Sequence, residues 1–191
     1  MGKVVLYMFM SLDGFIAGPN GEFDAFYPSD EEIAFGNRSF FSSVDGFMFG
    51  RMIYQDFIAY WDTLDLSDPT ITPANREFAR IFSEKHRVVF SNTLDAVTDN
   101  ATLLRDYLTH GVAALKQRFE RDFALICGPD LLSTLIGLGL VNECRIMVMP
   151  TALGRGKALF GSLTTATKLT LLTTKAFASG TVLHHYQIDN A

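Results

Sequence analysis

Short apolar runs alternate along the chain with longer segments whose apolar positions recur at helical spacing. Residues 4–10 are continuously apolar, the pattern of a strand buried on both faces. Residues 11–17 then cross into a glycine-rich loop, Gly18-Pro19-Asn20-Gly21, where the Gly-Pro and Asn-Gly steps demand turns. Ser29 followed by Glu32 is a capping box that predicts a helix start, with Ile33, Phe40, Phe41 and Val44 along its buried face. Residues 47–49 read as the next strand, and residues 53–60 as a helix that follows Gly50-Arg51 at once. Thr72-Pro73 opens another helix, with proline at the tolerated first position and Phe78, Ile81 and Phe82 on one side.

The second half continues the alternation. Strands are predicted at 87–90, 101–104, 123–126 and 143–149, and helices at 112–119 and 130–138. Residues 168–174 and 181–188 read as a terminal hairpin around Ser179-Gly180. This order predicts an α/β fold with a mostly parallel sheet, helices on both faces and an antiparallel C-terminal edge. Neither an internal repeat nor a linker is visible, so residues 1–191 are expected to form a single domain. In open sheets of this kind a ligand sits beyond the carboxyl ends of the strands.

Composition narrows the function classes. Hydrophobic residues make up 48% of the 191 and charged residues 19%, which predicts a globular protein with a large core. The 17 phenylalanines point to an aromatic core or interface. A net charge of −5 with no basic stripe argues against nucleic-acid binding by phosphate attraction. Cys127 and Cys144 both lie in apolar stretches, too few for a disulfide framework or a zinc site. No signal-peptide pattern and no apolar run of about 20 residues is present, so no membrane partner is expected and the cytoplasm is the expected compartment.

Three strand ends share one kind of punctuation: Phe49-Gly50-Arg51, Phe90-Ser91-Asn92-Thr93 and Ile126-Cys127-Gly128-Pro129. A strand that stops at glycine and feeds a helix presents free N–H groups and the positive end of a dipole. Arg51 adds a planar fork suited to phosphate oxygens. Together they suit a ligand with several phosphates, a dinucleotide above all, although ordinary β–α corners look the same. Standard nucleotide motifs are missing. No Gly-x-Gly-x-x-Gly follows the first strand, and Gly154-Arg155-Gly156-Lys157 fails as a phosphate loop because Thr151 and Ala158 stand at its defining positions.

Six segments, in order, resemble the dihydrofolate reductase-like family. They are closest to its branch containing the C-terminal reductase domain of bifunctional riboflavin-biosynthesis proteins (the RibD C-terminal domain). The segments are Ser11-Leu12-Asp13-Gly14-Phe15-Ile16-Ala17, Phe49-Gly50-Arg51-Met52-Ile53-Tyr54, Val89-Phe90-Ser91-Asn92-Thr93-Leu94, Gly128-Pro129 with Leu131-Leu132, Leu140-Val141-Asn142-Glu143, and Leu153-Gly154-Arg155-Gly156-Lys157-Ala158-Leu159-Phe160. The resemblance implies a three-layer fold and NADPH bound across the strand ends. Ile16 and Ala17 would lie by the nicotinamide, under a cover formed by residues 18–21. Gly50, Arg51 and Met52 would meet the pyrophosphate and the 2′-phosphate, with Ser91, Asn92 and Thr93 at the 2′-phosphate end. Cys127, Gly128, Pro129, Asp130 and Leu131 would run along the pyrophosphate and the nicotinamide ribose.

Two departures stand out. Ile53 occupies a position where the family usually has threonine, so a hydroxyl is missing from the cofactor set, and Cys127-Gly128 replaces a Gly-Gly pair. Cys127 reads as a packing residue, since no histidine is placed to activate it. For catalysis, dihydrofolate reductases use a carboxylate on the first helix. Here Asp30, Glu31 and Glu32 all fall in its first turn, where acids complement the dipole, and residues 33–44 carry none. Trp61, Tyr54, Phe57 and Tyr60 could wall a substrate pocket or simply pack their helix. His184 and His185 face opposite sides of a strand, and no metal is expected.

The reading is an NADPH-dependent reductase of a small heterocyclic substrate, with 5-amino-6-(5-phosphoribosylamino)uracil as the best-named candidate. The alternatives are a dihydrofolate or pteridine reductase, and an NADPH-binding protein that has lost turnover. A homodimer through the late strands fits any of these.

Overall fold

The computed structural model describes residues 2–106 and 108–189; the outer limits of the expected domain, residue 1 and residues 190–191, lie outside them. In chain order the elements begin with β1 (Val4–Ser11), β2 (Phe15–Ala17), α1 (Asp30–Ser39), β3 (Gly46–Gly50), α2 (Arg51–Trp61) and α3 (Pro73–Glu84). Next come β4 (His86–Phe90), β5 (Ala101–Leu104), α4 (Leu108–Arg118), β6 (Phe123–Ile126) and α5 (Pro129–Gly137). The last four are β7 (Glu143–Met149), β8 (Lys157–Ala158), β9 (Leu169–Ala176) and β10 (Val182–Ile188). By contacts the chain divides into two compact units, Met1–Gly2 with Pro28–Ile126, and Lys3–Tyr27 with Cys127–Ala191.

The first unit holds four strands in the order β5-β4-β3-β6, all parallel where paired. Phe47 and Phe49 alternate with Met48 along β3, so both rings project to the same face. On that face they meet Phe41, Phe78, Phe82, Tyr54 and Phe57 at centroid separations of 5.2 to 6.2 Å. Much of the phenylalanine surplus is therefore core. Helix α3 buries Ala74, Phe78, Ala79 and Phe82 against this cluster, one stripe of a 3.6-residue repeat. Trp61 stacks edge-on against Phe78 at 4.7 Å, so packing accounts for it without a pocket wall.

Capping fixes the starts of α1 and α3 as expected. Ser29 Oγ accepts from Glu32 N while Glu32 Oε2 accepts from Ser29 N at 2.8 Å, and Thr72 Oγ1 accepts from Asn75 N. Helix α1 is shorter than its pattern suggested. It stops at Ser39, Phe40 leaves helical geometry, and Phe41–Ser43 form a separate 3-10 turn held by Ser43 Oγ on Phe40 O at 2.7 Å. Beyond the break Phe40 and Phe41 are both buried.

A buried ion pair ties α2 back to the sheet. Arg87 on β4 donates from both terminal nitrogens to the two Asp62 oxygens at 2.7 Å, beyond the end of α2. Its guanidinium lies 4.2 Å from the Phe82 ring centroid, and its side chain is 5% exposed. No partner is found for Arg87 Nε among the described residues, so Asp62 carries the charge compensation. Asp62→Ala should cost roughly 1.5–3 kcal/mol, because it leaves a buried cation unpaired. Asp62→Asn, which keeps one acceptor, should cost less; urea midpoints of the two variants check this.

In the second unit the order is β1-β7-β10-β9. Strand β1 runs parallel to β7, with Ser11 opposite Met149, and β10 pairs antiparallel with β7 and β9. The hairpin is as expected. Strand β2, expected as loop, pairs with β8, which no local pattern announces. Each is too short to show a periodicity, and the partners are more than 130 residues apart. The core here is richer in aliphatic side chains: Leu6, Leu132, Leu135, Met147, Leu159 and Leu183 are all buried, beside Tyr7, Phe26 and Phe177.

Glu143 at the start of β7 accepts from Lys3 Nζ at 2.5 Å and pairs with His185 Nε2 at 2.8 Å. Burial raises its carboxyl affinity for a proton, but the Lys3 and His185 hydrogen bonds and charges outweigh this and hold it below its ordinary value of 4.5. A folded value below the unfolded one gives stability above pH 4.5 that is lost as pH falls through the folded value. Glu143→Gln should therefore flatten the acid limb of the stability curve. Denaturant midpoints between about pH 3 and pH 6 should fall more steeply in the wild type.

Candidate functional site

The carboxyl ends of the strands in the first unit are level. Gly50 is opposite Phe90, and Phe90 is opposite Leu104. Arg51 and Ser91 therefore leave neighbouring parallel strands at the same edge. Gly50 becomes the N-cap of α2, which begins at Arg51, two residues before the expected start, with extended backbone at the cap and no side-chain capping bond. No acid occupies the first turn. Arg51 is exposed, and its one hydrogen bond among the described residues is to Gln55 Oε1, at 3.4 Å along its own helix. Met52 is 58% exposed, and Ile53 is half-buried with no polar group to offer. Tyr54 points inward and its hydroxyl accepts from Thr98 N at 3.0 Å, leaving it a packing residue.

Beyond β4, Ser91 N donates to Leu104 O, and Ser91 Oγ accepts from Thr93 N and Leu94 N. This is a hydroxyl-closed turn that leaves the side chains of Asn92 and Thr93 exposed. Gly50, Arg51, Met52, Ser91, Asn92 and Thr93 thus share one edge of their unit, with Ile53 behind them.

The expected residues of the second unit fall in two groups. Residues 127–131 lead from β6 into the first turn of α5. Cys127 is fully buried and burial pushes its thiol far above its ordinary value, which removes it as a nucleophile and fits the packing role. Gly128 is the N-cap of α5, again with no side-chain cap, and Pro129 occupies the first position without a donor. A Cβ on Gly128 would meet no atom within 4 Å, so the backbone is open on that side. The exposed Asp130 accepts from Ser162 Oγ at 2.5 Å, and Leu131 is half-buried.

Ile16 and Ala17, on β2, are 3% and 1% exposed. Their strand is held by β8 and by Leu159 N donating to Gly14 O at 2.9 Å. The following loop closes through Gly18 N on Glu22 O at 2.9 Å and Gly21 N on Gly18 O at 3.0 Å. Sequence reasoning missed Asp13, whose carboxylate caps the turn before β8. Its position next to glycine was visible, but its partners are 140 and 141 residues away.

Glu32 is fully buried and occupied in the capping box, while Asp30 and Glu31 are exposed in the same turn. Among the described residues, no group of three or more His, Cys, Asp or Glu side chains could hold a metal ion, and no helix is long and apolar enough to cross a membrane.

A profile of the RibD C-terminal domain matches residues 2–183. The Bacillus subtilis (strain 168) protein YyaP, whose function is uncharacterized, is 31% identical over 180 residues, covering 94% of this chain and 92% of that one. A Shewanella sp. PV-4 crystal structure assigned to riboflavin biosynthesis superposes with a TM-score of 0.77 at 22% identity, covering 99% of both chains. Dihydrofolate reductase from Enterococcus faecalis, solved as a complex with NADP(H), gives a TM-score of 0.63 at 9% identity over 98% of this chain and 96% of that one. These likenesses show the three-layer dihydrofolate reductase-like α/β fold, with a mostly parallel central sheet and an antiparallel edge. By the near-complete profile match, the chain belongs to the RibD C-terminal domain family, a reductase family of the riboflavin-pathway type.

Proposed function

We propose that residues 1–191 act as one NADPH-dependent reductase domain. The proposed substrate is a small heterocycle, with 5-amino-6-(5-phosphoribosylamino)uracil or a close relative as the first candidate. The observation that carries this reading is the contrast among helix starts. Helices α1 and α3 begin with side-chain caps, whereas α2 and α5 follow strands directly, begin at Gly50 and Gly128, and have none. Helix starts left with open N–H groups suit phosphate oxygens.

The bound cofactor would supply a hydride to the substrate. This chain's residues would bind and orient it. Arg51, with Gly50 and Met52, would hold the pyrophosphate and 2′-phosphate through the α2 amides and the guanidinium fork. Ser91, Asn92 and Thr93 would complete the 2′-phosphate end. The open side of Gly128 lets an oxygen approach the backbone beside Cys127, Pro129, Asp130 and Leu131. Ile53 would contribute contact alone. Ile16 and Ala17 would flank the nicotinamide with buried backbone. Dihydrofolate reduction is the less favoured alternative, because the buried Glu32 carboxylate is occupied by the Ser29 N–H. An NADPH-binding protein without turnover remains the second reading, favoured by the missing hydroxyl at Ile53.

The free, buried Cys127 and Cys144 support a reducing cytoplasmic setting. A homodimer through the late strands is supported by β9, an end strand of its unit's sheet with Leu171 and Leu172 at 52% and 42% exposure.

NADPH should raise the melting temperature, with a stabilisation of about 2.7 kcal/mol at a hundredfold excess over Kd. No shift at millimolar NADPH overturns the cofactor reading. Arg51→Ala should weaken NADPH binding roughly 10- to 100-fold, as expected for a lost charge-assisted bond, and NADH binding much less. Turnover across a panel of pyrimidines, pterins and flavin precursors separates the reductase from the binding protein.

A further inference from the structure

The Gly154-Arg155-Gly156-Lys157 stretch fails as a nucleotide phosphate loop, yet its backbone does bind an anion. That anion belongs to the chain. Asp13 Oδ2 accepts from Gly154 N at 2.7 Å, and Asp13 Oδ1 accepts from Leu153 N at 3.0 Å and from Ser11 Oγ at 2.6 Å. Ser11, fully buried at the end of β1, accepts in turn from Phe15 N at 2.9 Å, the first amide of β2. Successive amides converging on one carboxylate form an anion nest. Although exposed, the Asp13 carboxyl is held at about 2, chiefly by the Ser11 hydroxyl and then by the Leu153 and Gly154 amides, so it is charged at any working pH.

The nest lies at the head of the β2–β8 pair. Leu12 N donates to Thr151 O at 2.7 Å and Leu159 N to Gly14 O at 2.9 Å, which ties the residues leading into β2 to both flanks of the segment that carries β8. Gly154 has φ +74°, a conformation that favours glycine. A Cβ on Gly156 would lie 2.2 Å from Ala17 O, so only glycine permits the segment to lie against β2. Strands of three and two residues cannot hold a conformation by themselves. The Asp13 nest and the Gly156 approach hold them in place.

We propose that Asp13 is a positioning residue for the nicotinamide end of the cofactor site: by anchoring residues 153–154 it fixes the backbone of Ile16 and Ala17. This rests on the NADPH reading, and its consequence is a division of labour. Arg51 reads the phosphates, and Asp13 sets the surface on which the ring lies without touching the cofactor. Loss of Asp13 should therefore harm binding of the whole dinucleotide and spare a fragment that lacks the nicotinamide half.

The test compares NADPH with 2′,5′-ADP, by calorimetry, on wild type, Asp13→Ala, Asp13→Asn and Gly156→Ala. Expected in Asp13→Ala are a roughly tenfold loss of NADPH affinity, unchanged 2′,5′-ADP affinity, and faster hydrogen exchange at the Phe15 and Leu159 amides. Asp13→Asn, which retains an acceptor, should fall between. Gly156→Ala should reproduce the defect through steric contact alone. Equal loss of both ligands would mean general destabilisation and overturns the proposal, as does unchanged NADPH affinity in Asp13→Ala. A wild-type protein that binds neither ligand removes the cofactor reading itself, an outcome distinct from failure of the Asp13 variants alone.

Discussion

The level ending of parallel strands is the constraint on which the first unit depends. A parallel strand cannot turn back on its neighbour, so each chain must leave the sheet at its carboxyl end and cross over. Because Gly50, Phe90 and Leu104 are in register, the exits of β3, β4 and β5 are brought to one line. The stacked faces of Phe47 and Phe49 hold that register, since a slip of one residue would move both rings away from α3 and α2. The aromatic core thus determines where Arg51 and Ser91 emerge, although neither residue is part of it.

Much of this could be read from the chain before folding. Continuous apolar runs marked β1, β3 and β6, and the Ser29–Glu32 box and Thr72-Pro73 marked two helix starts to the residue, because those signals act within one turn of chain. Illegible parts depend on partners far away in sequence. Strand β2 exists because β8 lies beside it, and the Asp13 bonds reach across 140 residues. The helix after Ser29 ends at Ser39, and beyond it Phe41 packs on Phe47 and Phe78, contacts that local spacing does not record. At the candidate site, sequence pattern located the strand ends and the family resemblance named the residues. Which amides already have an acceptor was visible only in three dimensions.

That distinction separates two stretches that look alike on paper. Phe49-Gly50-Arg51 and Leu153-Gly154-Arg155 both set an arginine after a glycine at the end of an apolar segment. In the second, the amides are taken by Asp13 and the glycines serve close backbone approach. In the first, the helix start has neither a side-chain cap nor an acid. A motif search weighs both equally; a hydrogen-bond account does not.

The helix starts differ in the same way as anion sites. Helices α1 and α3 are satisfied by Ser29 with Glu32 and by Thr72. Helix α5 has an open cap at Gly128, yet Asp130 stands in its first turn, its charge partly offset by the Ser162 hydroxyl. Helix α2 alone of these four combines an uncapped start, no first-turn acid and a basic side chain. An incoming phosphate would thus meet its strongest field at Gly50-Arg51 and a weaker one at Gly128-Pro129. Of the proposed contacts, those on α2 should dominate affinity, while those on α5 and β2 should govern the placement of the reactive ring.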